Sequence, residues 1–186
     1  MGLALEYEDK VFVADNHRIS VTMRESVLSA KELADEGKSG AEIKKALEDD
    51  AYNSSIYISV NTLEFLKKGG RITPAAAMIG TMLNIKPILT IQGEKLDSFA
   101  KARSMKKCQD KMLEALKSEI AGRFSHNDIS RLKVGAAGAG LSEEEIENWL
   151  GMVKEAFPNA KVFYGPLSAS IACHTGPGAV GIGISF

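Results

Sequence analysis

The chain has 186 residues and a mass of 20.0 kDa, a length that suits one domain or two small ones. With 45% hydrophobic and 25% charged residues it can build a core, and no apolar run approaches the roughly 18 residues of a membrane span. The first ten residues lack the basic start and apolar stretch of a signal peptide. Cys108 and Cys173 are too few for a disulfide framework or a zinc cluster. We therefore expect a cytoplasmic protein with no metal site.

Charge is distributed unevenly along the chain, although the net charge is only −1. Residues 1–63 carry a balance of −5, residues 64–107 a balance of +6, and residues 108–186 a balance of −2. A basic middle in a neutral protein suggests a local anionic partner rather than general nucleic-acid binding. A solvated face with scattered lysines is the alternative that charge alone leaves open.

The amino-terminal residues read as one strand followed by two helices. We predict a short buried strand at residues 11–14 and a helix at 24–36. Ser39 and Glu42 have the spacing of a capping box, which predicts a second helix. A lone strand with two helices cannot complete a sheet. Residues 1–52 are therefore expected to be the tail of a domain whose beginning is absent.

Strands and helices interleave in the rest of the chain. Periodicity and turn residues predict strands at 56–60, 86–91, 95–100, 131–139, 162–164, 169–173 and 179–186, and helices at 62–68, 74–82, 104–121 and 142–157. The strands at 86–91 and 95–100 should form a hairpin. We expect an α/β (α+β) fold, with a mixed or antiparallel sheet and helices packed on it.

Two glycine-rich segments deserve separate interpretations. Residues 176–181 (GPGAVG) match the dinucleotide-binding pattern in letters only, because a strand rather than a helix should follow them. Residues 135–140 (GAAGAG) could present backbone N–H groups to a phosphate. They could equally form a plain strand-to-helix turn, which we favour because Glu143, Glu144 and Glu145 would repel a phosphate.

Three segments combine features that a core alone would not require. Residues 69–74 (GGRITP) place Arg71 at a glycine break beside a helix start, where an anion could bind. Residues 84–87 (NIKP) add a polar residue and a cation at a strand entrance, and residues 174–178 (HTGPG) place His174 in a loop. Taken singly, each could be an ordinary turn, cap or surface loop.

The amino-acid sequence of these segments resembles that of the DegV family. Residues 60–72 (VNTLEFLKKGGRI) closely resemble its "tLeyLkkGGRI" signature, and residues 79–89 (IGTMLNIKPIL) its "iGtmLNIKPIL". Residues 93–96 and 101–103 are similar to the family's hairpin and trailing arginine, and residues 174–179 (HTGPGA) to its closing motif. The resemblance runs from Val11 to the end of the chain.

The resemblance implies a lipid carrier that is not an enzyme. DegV-like proteins bind one long-chain fatty acid in a tunnel between two domains, and in bacteria they present it to a partner kinase that phosphorylates the carboxylate. It implies that the carboxylate or phosphate is met by His174, Thr175, Arg71 and Arg103. It implies a tunnel lining that includes Ile79, Met82, Leu83, Ile85 and Ile88. The fatty acid would be the ligand, without a further cofactor.

The domain organisation departs from the family pattern. In the family, Ser/Thr groups of an amino-terminal α/β domain hold the carboxylate, and this chain starts after them. We expect residues 1–52 to be the remnant of that domain and residues 53–186 to be the DegV carboxyl-terminal lipid-binding domain. Asp15-Asn16 stands where the family often has Asp-Ser, and residues 135–140 replace a segment that is commonly "vvHad".

Three functional hypotheses follow. The first is a lipid-carrier subunit of a fatty acid kinase system in phospholipid metabolism, with transient membrane contact and no nucleic-acid partner. The second is a truncated interaction module without independent lipid binding, which could form a homodimer through its exposed half-tunnel. The third is a phosphate- or nucleotide-binding enzyme that uses residues 135–140.

Overall fold

A computed structural model describes residues 2–7, 10–79, 85–91 and 95–186. The helices in this part of the chain are α1 (Ser20–Asp35), α2 (Gly40–Asp49), α3 (Glu64–Lys68), α4 (Pro74–Ile79), α5 (Met105–Ala121), α6 (Glu143–Ala156) and α7 (Ala169–Thr175). The strands are β1 (Ser54–Ser59), β2 (Lys86–Ile91), β3 (Leu96–Ala102), β4 (Lys133–Gly138), β5 (Lys161–Pro166) and β6 (Val180–Ser185). Short 3₁₀ helices span Gly2–Tyr7 and Ile129–Arg131.

These six strands form one mixed sheet in the order β3-β2-β1-β6-β4-β5. All neighbouring strands are antiparallel except β4 and β5, which are parallel and connected through α6. A parallel pair needs such a crossover, whereas β2 and β3 are adjacent in sequence as a hairpin is. The α/β fold class predicted from the sequence is confirmed.

Helices α5 and α6 cover one face of the sheet. Trp149, Met112 and Leu116 are fully buried there against Ile182 and Ile184 of β6. The Trp149 indole N–H donates to the Gly181 carbonyl at 3.1 Å, so this large aromatic ring is buried without an unpaired donor. The buried apolar residues in the described part of the chain form two clusters, one on each face of the sheet, and the cluster beneath α5 and α6 is the larger.

Helix α1 packs on the opposite face, over a floor of glycines. A Cβ atom at Gly135 would lie 2.4 Å from the Val21 Cβ, one at Gly183 would lie 3.0 Å from Val21, and one at Gly165 would lie 3.3 Å from it. Val21 is only 3% exposed. The strands therefore need small residues here so that the helix backbone can approach the sheet closely.

A buried ion pair accompanies this contact. Glu25 of α1 is 3% exposed, and its carboxylate pairs with Arg24 and lies 3.6 Å from the Lys133 ammonium of β4. The Arg24 guanidinium also stacks over the Phe163 ring, with its central carbon 4.3 Å from the ring centroid. A charge this deeply buried requires such partners. Helix α1, although it lies within residues 1–52, is thus an integral part of the sheet's packing.

Most predicted elements are present, and both capping boxes are confirmed. The Glu42 N–H donates to the Ser39 hydroxyl, whose own backbone N–H donates to the Glu42 carboxylate at 2.8 Å. Ser142 and Glu145 make the same reciprocal pair. Among the described residues no helix is long and apolar enough to cross a membrane.

Two predicted strands are wrong. Residues 11–14 form no strand and Val11 is 47% exposed, because the segment lies over α2, with the Phe12 ring against Gly40. Residues 169–173 belong to helix α7, which begins after Ser168. Alternation over so few residues could not distinguish a short helix from a strand.

We expect Gly135→Ala to lower the free energy of unfolding by about 1–3 kcal/mol, because the new methyl group overlaps the Val21 Cβ rather than a flexible side-chain end. Gly151→Ala is the matched control. Gly151 lies within α6, is exposed and has open space at its Cβ position, so alanine should stabilise the helix by about 0.5–1 kcal/mol. The midpoints of urea unfolding curves, compared at an unchanged dependence of the unfolding free energy on urea concentration, measure the stability change in both variants. Equal effects of the two substitutions would contradict the close-packed α1 interface.

Candidate functional site

The first part of the site is the end of helix α3. Gly70 has φ +63°, its N–H donates to the Lys67 carbonyl at 3.1 Å, and the Arg71 N–H donates to the Leu66 carbonyl at 3.0 Å. These two bonds make a Schellman ending, which requires a left-handed residue and therefore favours glycine at position 70. The chain then turns sharply, and the Arg71 guanidinium donates to the Gly69 carbonyl at 2.9 Å.

Gly69 is required for a different reason, the position of His174. A Cβ atom at Gly69 would lie 2.1 Å from the imidazole Nδ1 of His174, so the ring occupies the space that any other residue would fill. His174 lies in the last turn of α7, rather than in a loop as the sequence suggested. Contact between α3 and α7 thus brings two segments a hundred residues apart into one place.

The loop after α7 packs on the same helix. A Cβ at Gly176 would meet the Phe65 ring at 2.6 Å, and one at Gly178 would meet the Asn61 amide nitrogen at 2.2 Å. The Asn61 side chain donates to the Pro177 carbonyl at 3.2 Å and accepts from the Lys86 ammonium at 2.8 Å. All three segments that stood out in the sequence therefore meet around α3.

These elements border an open pocket of about 320 Å³, which we call the site pocket. Its floor is the sheet, where Ile56 and Ile58 of β1 project to this side while Tyr57 between them joins the opposite core. Other apolar side chains complete the lining: Ile19, Ile91, Leu96, Leu167 and Ile171. Its polar side chains are Ser20, Arg71, Ser170, His174 and Thr175.

Thr175 contributes a buried hydroxyl to the site. The residue is 3% exposed, and its Oγ1 makes no hydrogen bond to any of the described residues. A buried hydroxyl left unpaired costs about 1–3 kcal/mol, so such a group is expected to serve a purpose. Next to His174, it can donate to an anionic oxygen that enters the pocket.

The segment around Arg71 is anchored to the sheet edge. The Leu96 N–H donates to the Arg71 carbonyl and the Thr73 N–H donates to the Leu96 carbonyl, at 3.0 and 2.9 Å. The Thr73 hydroxyl donates to the Asp97 carboxylate at 2.8 Å. That bond, with the Ser98 N–H, holds the pKa of Asp97 below its usual value, so the tie persists at neutral pH and is lost only in acid.

Known proteins match this chain over nearly its entire length. The family model described as an uncharacterised protein of the DegV family matches residues 3–186, which is nearly the entire chain. The chain belongs to the DegV family. A DegV domain-containing protein of Clostridium perfringens is 32% identical over 178 residues, which cover 95% of this chain and 60% of that protein.

Solved DegV structures share the fold. A structure described as showing fatty acid binding of a DegV family protein from Thermus thermophilus has a TM-score of 0.82 and 33% identity, and covers 98% of this chain and 63% of that one. DegV of Bacillus subtilis, described as a fatty acid binding protein, has a TM-score of 0.78 and 27% identity over 95% of this chain and 60% of that one. This chain therefore spans somewhat less than two thirds of the length of these DegV relatives.

Only some of the site residues predicted from the DegV resemblance line the site pocket. Arg71, His174 and Thr175 all line the site pocket, whereas Arg103 is exposed between β3 and α5. Ile85 is half-buried just before β2. Met82, Leu83 and the side chain of Ile79 lie outside the described residues, as does Asn84.

Ile88 requires a correction. It is fully buried with Cys108 and Met112 of α5, on the face of the sheet opposite to the site pocket. Successive side chains of a strand point to opposite faces, so on β2 Leu89 and Ile91 face the pocket side instead. Alternation within the sequence of β1 could have identified Ile56 and Ile58, but no signal in the sequence indicated Leu167 or Ile171.

The glycine segment 135–140 ends a strand and leads into the turn before α6, which agrees with the strand-to-helix turn favoured over a phosphate loop. Residues 135–138 belong to strand β4. The Leu141 side chain occupies the space next to Gly138, and its Cδ1 would lie 2.3 Å from a Cβ atom at that position. No group of three or more His, Cys, Asp or Glu side chains that could hold a metal ion occurs among the described residues.

We expect Gly69→Ala to displace the His174 imidazole, because the alanine methyl would overlap Nδ1. In a ¹H–¹³C spectrum, the ring resonances of His174 should shift and those of His17 and His126 should not. These are the other two histidines of the chain. An unchanged His174 signal would contradict the contact between the two DegV motifs.

Proposed function

We propose that this chain binds a long-chain fatty acid in the site pocket. The observation that carries the proposal is that a single pocket joins a continuous apolar surface to Arg71, His174 and the unpaired Thr175 hydroxyl. Ligand sites of small molecules have this make-up, with a mainly apolar lining and a few placed polar groups. Relatives from Thermus thermophilus and Bacillus subtilis, which are described as binding fatty acids, support it.

In this proposal the polar groups receive the carboxylate and the strands receive the tail. His174 and Thr175 donate hydrogen bonds to the two carboxylate oxygens, since both lie at the carboxyl end of α7 beside the pocket. The acyl chain lies across Ile56 and Ile58 of β1. Each methylene removed from water contributes about 0.8 kcal/mol, so the tail supplies most of the affinity and the polar groups supply orientation.

We further propose that the bound carboxylate is presented to a partner kinase for phosphorylation. The basic segment 64–107 supports this, because its balance of +6 suits an ATP-using partner and an anionic acyl phosphate. Arg71 is exposed at the pocket, and Arg103 is exposed after β3. In this role the chain supplies orientation and electrostatics, and the partner supplies the chemistry.

Native mass spectrometry of the purified chain, followed by organic extraction, tests lipid binding directly. A released C16–C18 acid in a one-to-one complex is expected. A chain that stays empty when such acids are added, and whose mass is that of a dimer, would instead favour an interaction module that covers the open pocket with a second copy.

His174→Ala and Thr175→Val should each weaken binding of a fluorescent fatty acid roughly tenfold or more. Each removes one hydrogen bond to a charged group, which contributes about 1.5–3 kcal/mol. His126→Ala is the control, since His126 is exposed on the loop after α5 and does not line the pocket. Fluorescence titration measures all three. Affinity equal to that of the unsubstituted chain in both pocket variants would reject the carboxylate role.

Arg71→Ala should leave fatty-acid affinity nearly unchanged and lower the rate of acyl phosphate formation with a fatty acid kinase subunit. The guanidinium is exposed, and its hydrogen bond in the free chain goes to the Gly69 carbonyl rather than into the core. Titration of the acid and an ATP-consumption assay separate the two effects. A large loss of affinity would instead place Arg71 among the carboxylate ligands.

A further inference from the structure

Ile19 lies where three cavities meet. It lines the site pocket, a larger side pocket of about 570 Å³ and a small end pocket of about 20 Å³. The side pocket continues along α1 to Met23 and Tyr164, and the end pocket is closed by Tyr52 and Arg123. The Ile19 side chain thus forms part of the boundary between the space beside His174 and two neighbouring spaces.

The backbone at this position is held in an unusual conformation. His17 has φ +51° and Ser20 has φ +55°, while Ile19 between them is extended. Residues other than glycine adopt positive φ at a cost of about 1–3 kcal/mol, and they retain it only where surrounding contacts impose it. A segment that is strained twice within four residues, beside a pocket, is therefore a constrained feature rather than an ordinary turn.

Buried polar contacts supply the constraint. The Arg18 side chain is 2% exposed and donates to both the backbone carbonyl and the carboxylate of Asp50, each at 2.6 Å. The Thr22 hydroxyl donates to the Ile19 carbonyl at 2.8 Å, and the His17 ring stacks on Tyr52 with centroids 5.3 Å apart. These contacts tie Arg18 to the carboxyl end of α2, and Ile19 itself to the first turn of α1.

We propose that Ile19 is a specificity-determining residue that selects the shape of the acyl chain. A β-branched side chain has few rotamers, so once its backbone is fixed it stays in one place. Together with Ser20, Ser170 and Ile171, which also line both cavities, it separates the site pocket from the side pocket. Because Ile19 also borders the end pocket, its side chain favours a straight, unbranched chain over a bulky one. This inference rests on the proposed fatty-acid function, and it assigns Arg18 and Asp50 as positioning residues for Ile19.

Ile19→Ala tests the partition, with Ile129→Ala as the matched control. Ile129 is 53% exposed on the 3₁₀ helix Ile129–Arg131, outside all three cavities. Competition titrations with palmitic acid and with the methyl-branched phytanic acid give a ratio of affinities. Ile19→Ala should shift this ratio toward phytanic acid by about tenfold, since a few carbons in an apolar pocket change discrimination by that order. A ratio equal to that of the unsubstituted chain would overturn the proposal.

A second probe separates this inference from the proposed function. If no fatty acid binds to any form of the chain, the proposed function fails. Titration with the fluorescent probe 1-anilinonaphthalene-8-sulfonate would still measure binding to the apolar cavities. The merged space in Ile19→Ala should then bind the probe more tightly than the unsubstituted chain does. Equal binding of the probe would overturn the partition in its own right.

Asp50 variants test the positioning of Ile19. Asp50→Ala removes the carboxylate that Arg18 meets, and should shift the phytanic-to-palmitic ratio in the same direction as Ile19→Ala. Asp50→Asn keeps an oxygen acceptor for Arg18 and should retain the original ratio. A general loss of stability would lower both affinities without changing their ratio. An unshifted ratio in Asp50→Ala would overturn the assignment of Arg18 and Asp50.

Discussion

The close approach of helix α1 to the sheet is the contact on which the rest of the site depends. Val21 sits where Gly135, Gly165 and Gly183 leave room, and the buried Glu25 is neutralised by cations on both sides. Because the helix is fixed at this depth, its N-cap Ile19 and its first residue Ser20 supply one wall of the pocket. A shift of the helix away from the sheet would displace this wall.

A second close approach fixes the polar end of the pocket. His174 occupies the space above Gly69, and the Phe65 ring occupies the space at Gly176, so α3 and α7 interlock through glycines on both sides. The two motifs therefore depend on each other for their packing. Gly70 ends α3 and Gly69 leaves room for the imidazole of His174. Gly176, in the loop after α7, leaves room for the Phe65 ring. The reason for these small residues is packing, and the histidine position is its consequence.

Local signals in the sequence predicted local structure well. Both capping boxes and the long amphipathic helix α5 could be read directly, because each depends on residues within one or two turns. Helix α7 could not, since seven residues show too little periodicity and its packing against α3 decides its conformation. The sequence also could not predict which side chains of β2 face the pocket. Ile88 and Leu89 are both apolar, and the register of β2 with β1 determines which of them faces it. The glycines of β4 left a phosphate loop open as an alternative to a plain turn, because the sequence does not show that α1 packs on Gly135.

The polar groups of the pocket suit the hydrogen bonding that the proposed function requires. The Ser170 hydroxyl is already paired with the Ser168 hydroxyl at 2.9 Å. Within the part of the chain that the structure describes, the Thr175 hydroxyl has no hydrogen-bond partner, and the His174 imidazole packs closely over Gly69. In the proposed function, the His174 imidazole and the Thr175 hydroxyl together hold the carboxylate at the polar end of the pocket.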